Sequence, residues 1–410
     1  MNRLLFQAAW YVCAVALILC CFSSCVKIDI KPSDNDEAGR RTVLVYIGAE
    51  NSLSYGHFHE QDLDEMLRAA SDIPSDCKLL AYIDDNELPR IVSIEKGPDT
   101  AVSKLVKTYA EDHNSASPQV LHDVMNWAVD TYPSESYGLV MWSHGEAWLP
   151  ARAPQRSIVI DNEDNGYSNH GSKMEIAEMR EALSNLPRLD FILFDACFMQ
   201  SIEVAYELRT VTHYIIASPA EIPNPGAPYD LMLSAMFSQP ISLSGIVDGY
   251  YNYYQDNMVP VYAYGTDRYG ISLSVVNCDV LEDLAALTAE MVVKYVDSEE
   301  ALDLAGIQRY YPISFSSRPE YFDMNGVMSR IISDDADYIR WKRAFDAAVP
   351  YRRTTSWWYS NDAYMQQVDT VRYGGVSCYV PQHDNIYSKL NDKFRQTSWY
   401  KVSGWARVGW

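Results

Sequence analysis

The chain has 410 residues, beyond the roughly 250 to 300 at which a single hydrophobic core stops growing, and this predicts two lobes. With 48% hydrophobic and 21% charged residues, disordered and fibrous classes are excluded. A formal net charge of −22 argues against nucleic acid or anionic lipid surfaces as partners and favours segments rich in basic residues.

The N-terminus has a short positive start at Asn2 and Arg3, then an apolar run from Leu4 to Phe22. Such a run is long enough to span a bilayer. It ends, however, in Phe22-Ser23-Ser24-Cys25, with small residues before a cysteine and a polar stretch from Lys27 to Arg41 beyond. That pattern resembles a bacterial lipoprotein signal, cleaved before Cys25 and lipidated there, although Phe22 replaces the usual aliphatic residue. The expectation is a signal peptide over 1–24, a tether over 25–40, and a chain held at the cell envelope by its lipid, with the membrane and the side it faces left open. Four of the eight cysteines lie in the leader, and Cys77, Cys197, Cys278 and Cys378 are far apart with no CxxC spacing. Neither a disulfide framework nor a metal cluster is expected.

Thr42 to Gly48 is a continuous apolar run bounded by turn residues, as for a strand buried on both faces. Leu63 to Ala70 reads as a helix, and Lys78 to Ile83 repeats the strand signature. Val120, Leu121, Val124, Trp127, Ala128 and Val129 have helical spacing and end before Pro133. Strands then follow over Tyr137 to Trp142, Phe191 to Phe194 and Tyr214 to Ala217, with a helix over Lys173 to Leu183. This alternation predicts an α/β fold with a mainly parallel sheet and helices on both faces, over residues 41–264. From 265 to 410 the pattern loosens: Ile271 to Val276 reads as a strand, Val280 to Val296 as a helix, and an aromatic-rich stretch with Trp357-Trp358-Tyr359 reads as packing. A smaller C-terminal lobe is expected there. His57-Phe58-His59 lacks a third ligand and reads as surface.

In parallel sheets the ligand site lies beyond the carboxyl ends of the strands. Ser143-His144-Gly145 and Asp195-Ala196-Cys197 sit there, each directly after an apolar strand. A cysteine nucleophile needs a base and needs N–H donors for the oxyanion formed on the attacked carbonyl. His144 supplies the base, and the N–H groups of Gly145 and Cys197 supply the donors. The histidine precedes the cysteine by 53 residues, close to the caspase gap of about 50, though the caspase cysteine signature is absent. GxSxG, HExxH and glycine-rich phosphate loops are absent too.

The strings Trp142-Ser143-His144-Gly145 and Asp195-Ala196-Cys197-Phe198-Met199 resemble the His-Gly and Ala-Cys motifs of the clostripain family, cysteine peptidases of the caspase-like clan. Gly374 to Pro381 and Ser403-Gly404-Trp405 resemble its C-terminal part. The resemblance implies a caspase-like fold and cleavage after Arg, and also Lys, with acids in the specificity pocket. Asp195 matches the first acid, Glu221 is the preferred second and Asp230 the reserve. It also implies cutting between histidine and cysteine, where Arg152 and Arg156 lie in an exposed-looking loop. No cofactor is required. Some relatives take calcium, and Asp161 to Gly166 has the acidic density of a calcium loop, but Ser172 stands where an EF-hand needs its closing Glu. The expected partners are peptide or protein substrates with basic residues, and the membrane through the N-terminal lipid. The rival reading is a catalytically idle surface lipoprotein that uses the fold to bind protein or glycan; another is a peptidase cutting after Asp or Asn, which Asp195 opposes.

Overall fold

The computed structural model describes residues 38–148, 158–162, 171–257, 270–310, 321–358, 366–383 and 388–410. Strand β1 spans Gly39–Gly48, β2 Cys77–Asp84, β3 Arg90–Glu95, β4 Val102–Thr108, β5 Ser134–Trp142, β6 Ile158–Asp161, β7 Ser172–Met174, β8 Leu189–Asp195, β9 Thr212–Ala217, β10 Ser272–Asn277, β11 Phe322–Asp323 and β12 Tyr351–Thr354. Nine of them form one sheet in the order β12-β10-β9-β8-β5-β1-β2-β3-β4. The five central strands, from β9 to β2, run parallel. Two further strands extend each edge by antiparallel pairing.

The helices used below are α1 (Ser52–Tyr55), α2 (Phe58–Arg68), α3 (Pro118–Thr131), α4 (Ile176–Leu183), α5 (Ile202–Leu208), α6 (Tyr229–Met236), α7 (Leu243–Asp256), α8 (Leu281–Tyr295), α9 (Met324–Ile331) and α10 (Asp335–Ala348). Successive side chains of a strand point to opposite faces. Leu44 and Tyr46 of β1 therefore join a core with α3, α4, α5, α8, α9 and α10. Val43, Val45 and Ile47 join a second core with α2, α6 and α7. Burial on both sides is why these strands read as unbroken apolar runs, and each fully buried Val, Leu or Ile contributes about 1.5–3 kcal/mol. Gly138 is required in β5 because a Cβ there would lie 2.4 Å from the Phe191 ring of the neighbouring strand.

Several expectations need correction. Strand β1 starts at Gly39, inside the expected tether, because Arg41 is buried rather than solvated: its guanidinium donates to the carbonyls of Met236 and Ser238 and to Asp190 at 2.8 to 3.0 Å. The hairpin β3–β4 has no clear sequence signature, since its outer strand is largely exposed and carries polar residues on both faces. Lys173 and Met174 belong to β7, and the helix expected there begins at Ile176 behind a capping box of Glu175 and Glu178. The boundary at 264/265 does not separate two cores: β10 and β12 continue the central sheet beyond β9, which would otherwise be left as an apolar edge. His59 is buried, with Nε2 3.4 Å from Asp85, while His57 is at the surface. Trp358 is packing, as expected. The signal segment with Cys25 lies outside the described residues; among the described residues no helix is long and apolar enough to cross a membrane.

Candidate active site

The register of the inner strands fixes the site. Trp142 of β5 stands opposite Asp195 of β8, so His144 and Cys197, each two residues further on, leave the same sheet edge side by side. Both line a cleft of about 360 Å³ that also takes in Ser52, Gly145, Glu146, Asp195, Glu221 and Ile222. The two turns touch: a Cβ at Gly145 would lie 2.8 Å from the Cys197 carbonyl oxygen and 2.9 Å from Ala196 Cβ. Only glycine fits between them. The pairing bond to the neighbouring strand runs from Val159 N–H to the His144 carbonyl at 3.2 Å.

Left-handed backbone at non-glycine residues costs about 1–3 kcal/mol and persists only where the surroundings over-determine it. Val159 (φ 58°) and Phe198 (φ 63°) both adopt it at the cleft wall. Phe198 is held there by its N–H on the Ala220 carbonyl at 2.9 Å and by stacking on Tyr321. The strained turn aims the preceding residue, Cys197, into the cleft.

Nε2 of His144 lies 2.9 Å from Ser52 Oγ. Ser52 opens the single turn α1, which Asn51 caps by accepting from Leu53 N–H while donating to the carbonyls of Gly48 and Ile160, each at 2.9 Å. The Cys197 thiol accepts from Ile222 N–H at 3.3 Å. Burial, then the negative charge of Glu221, pushes that thiol well above its usual range.

Asp195 is buried at the cleft floor, accepting from Ala227 N–H at 3.0 Å, Tyr229 Oη at 3.3 Å and Tyr250 Oη at 3.0 Å. Burial raises it to about 6 against the pull of these donors. Gly226, at φ 67°, passes so close that a Cβ would lie 3.0 Å from Asp195 Oδ2. Behind it Asp62, which accepts from Trp142 Nε1 at 2.5 Å, is raised well above the carboxylate range by burial and by the charge of Asp195. Glu221 lines the cleft beside Cys197. Asp230, the reserve acid, does not: it pairs with Arg68 at 3.0 Å on the outside of α6. Arg152, Arg156 and residues 163–170 of the acidic stretch lie outside the described residues.

Comparison with known proteins gives a consistent answer. The model of the clostripain family matches residues 45–410. The chain belongs to the clostripain family. Clostripain itself, from Hathewaya histolytica, is 25% identical over 227 residues, which is 48% of this chain and 42% of clostripain, so under half of that relative's length is matched. Among solved structures, a secreted cysteine protease of the clostripain family from Bacteroides thetaiotaomicron, bound to an irreversible peptide inhibitor, is 34% identical with a TM-score of 0.79, covering 90% of this chain and all of the other. An inactive zymogen of the family from Parabacteroides distasonis is 31% identical with a TM-score of 0.75, covering 90% of this chain and 99% of the other. The fold is the caspase-like one of these clostripain-family peptidases, as the motifs implied. Residues the sequence did not single out are Ser52, Asp62, Tyr229 and Tyr250. Asn51-Ser52, directly after a core strand at the site's own edge, was the one signal available for the first; Tyr229 and Tyr250 come from helices whose apolar patterning hides a phenol, and Asp62 is one of several acids of the polar helix α2.

Proposed function

We propose that the chain is an exported cysteine endopeptidase that cleaves after Arg, and also Lys, with Cys197 as nucleophile and His144 as base. The placement of His144 and Cys197 two residues beyond one matched pair, above a floor that carries Asp195, is the observation that supports it most. On substrate entry His144 removes the thiol proton. The Cys197 sulfur attacks the scissile carbonyl carbon, and the oxyanion takes hydrogen bonds from the N–H groups of Gly145 and Cys197. Collapse expels the amine, which receives the proton from His144, and water then hydrolyses the thioester with His144 again as base.

Asp195, Glu146 and Glu221 against Lys173 give the cleft an acidic balance, which suits a guanidinium or ammonium group before the scissile bond. Glu221, next to the thiol, acts in this reading at the rim and Asp195 at the floor. Secretion of the Bacteroides relative fits the reading of residues 1–24 as an export signal with lipid attachment at Cys25. The existence of an inactive zymogen in the family fits self-cutting at Arg152 or Arg156. The test is a fluorogenic peptide library with the chain from which the leader has been removed. Turnover of Arg or Lys substrates that vanishes in Cys197→Ala is expected; preference for Asp, Asn or apolar residues overturns the specificity, and equal turnover in the variant overturns the nucleophile.

A further inference from the structure

Tyr321 reaches both turns of the candidate site from a distant part of the chain. It directly precedes β11, which pairs with the short strand Ser377–Cys378. That strand is tied to the turn after the cysteine by Ser377 N–H on the Gln200 carbonyl at 2.9 Å. The ribbon thereby seats Tyr321, which is buried, behind Glu146 and Phe198 of the cleft wall. The tyrosine hydroxyl donates to the Glu146 carbonyl at 2.7 Å, two residues after His144. Its ring stacks on Phe198, the residue after Cys197, with centroids 5.2 Å apart and planes 8° from parallel.

Both contacts fall on strained backbone. Phe198 (φ 63°) and Ala147 (φ 55°) occupy the left-handed region without being glycine, a state that persists only where the surroundings over-determine it. The Glu146 carbonyl belongs to the peptide that leads into Ala147, so the Tyr321 hydroxyl holds that peptide plane. At the other end of the turn the His144 carbonyl accepts from Val159 N–H at 3.2 Å. In a trans peptide the N–H points opposite to the carbonyl, so the Gly145 N–H is directed away from β6. The two bonds together fix the turn on either side of Gly145.

We propose that Tyr321 is a positioning residue for the peptidase reaction, one side chain that holds the Gly145 N–H and the Cys197 sulfur in register with each other. This rests on the reading of His144 and Cys197 given above. Donors that already stand where charge develops need no rearrangement during reaction, and a small misplacement of them slows it. Hydroxyl and ring have separable duties: the hydroxyl serves the histidine turn and its oxyanion donor, and the ring serves the cysteine turn. Tyr321 lies 175 residues after the carbonyl it binds, so the C-terminal part of the chain takes a share in the site.

The test compares two reactions of the Cys197 thiol in the full-length chain and in Tyr321→Phe, which keeps the ring and removes the hydroxyl. With iodoacetamide the sulfur–carbon bond forms, iodide leaves and no oxyanion arises. With a peptide aldehyde carrying the residue after which the parent cleaves fastest, the sulfur–carbon bond forms, the C=O double bond opens to an oxyanion and the thiol proton passes to His144. Tyr321→Phe should lose about tenfold in kcat and in aldehyde affinity, with KM and the alkylation of Cys197, followed by mass spectrometry, within about twofold of the parent. Tyr321→Leu, which removes the stack as well, should also slow alkylation. Unchanged kcat and aldehyde affinity in Tyr321→Phe overturn the proposal, as does a fall of both thiol reactions by one factor, the mark of general loosening. Alkylation in Tyr321→Leu as fast as the parent's overturns it too; should that variant fail to fold, Tyr321→Phe alone decides. A parent without turnover, or turnover that survives Cys197→Ala, overturns the reading of the site and this inference together.

Discussion

Ser52 Oγ and His144 Nε2 stand 2.9 Å apart, so this nitrogen of the imidazole is held by the segment after β1. The serine is a positioning residue. Ser52→Ala should lower kcat up to about tenfold with KM little changed, the worth of one hydrogen bond of about 0.5–1.5 kcal/mol. Ser52→Thr should restore most of it. The check that separates positioning from folding is the pH profile of Cys197 alkylation, which should move in Ser52→Ala at an unchanged melting temperature.

Removing the thiol should remove turnover but not the fold. Cys197→Ala deletes a half-buried sulfur whose hydrogen bonds, accepted from Ile222 N–H at 3.3 Å and donated to the Ile222 carbonyl at 3.8 Å, are weak, so its thermal midpoint should stay close to that of the parent. His144→Ala should abolish turnover as well and slow alkylation of Cys197 by iodoacetamide at neutral pH. Fast alkylation in His144→Ala would remove the histidine from the mechanism.

Asp195 carries a pH signature. Its folded pKa, about 6, is above that of an ordinary carboxyl, so the charge that attracts a basic side chain exists only above pH 6 and is lost below it. KM for an Arg substrate should rise as pH falls from 7 to 5, with a much smaller change for a substrate that is neutral at the same position. Asp195→Asn should flatten this dependence and cost Arg substrates roughly one to two powers of ten in kcat/KM, the worth of a charged hydrogen bond of about 1.5–3 kcal/mol. Retention of Arg turnover in Asp195→Asn would direct attention to Glu221→Gln.

Glu203 in α5 offers a stability test away from catalysis. It is buried, accepts from Tyr379 N–H at 2.8 Å and is raised by burial to about 7. The native chain therefore holds this proton to higher pH than the unfolded chain does. Its contribution is full below about pH 4.5 and is lost as pH rises through 7, by on the order of 3 kcal/mol. Urea unfolding of Glu203→Gln at pH 5 and pH 8 should show the variant gaining on the parent by that order between the two. Equal gaps at both pH values would show that the carboxyl is ionised throughout.

The parts legible in the sequence were those governed by local patterning. Doubly buried strands such as Val43 to Ile47 are unbroken apolar runs, and a histidine and a cysteine at the ends of two such runs announce themselves. What stayed hidden depends on distant partners. Arg41 looks like tether until Asp190 and the end of α6 are seen to receive it. The strand Ser272–Asn277 looks like the start of another lobe because nothing local tells that Tyr214 to Ala217 pairs with it. Tyr229 and Tyr250 were unreadable as ligands of Asp195 because a phenol on an apolar helix face is indistinguishable in sequence from core.

The placement of β1 in mid-sheet has a bearing on synthesis. It emerges early from the ribosome, yet its parallel neighbour on one side is β5, and β5 is completed by β8, which ends at Asp195. Contacts so distant along the chain form slowly, because loop closure must precede any gain from pairing. Until Asp195 and the turn after it have been made there is no ledge for Cys197 to stand on, and until β10 arrives the β9 edge stays open. A half-made chain thus carries an unpaired apolar strand well before the turns that hold His144 and Cys197 can meet.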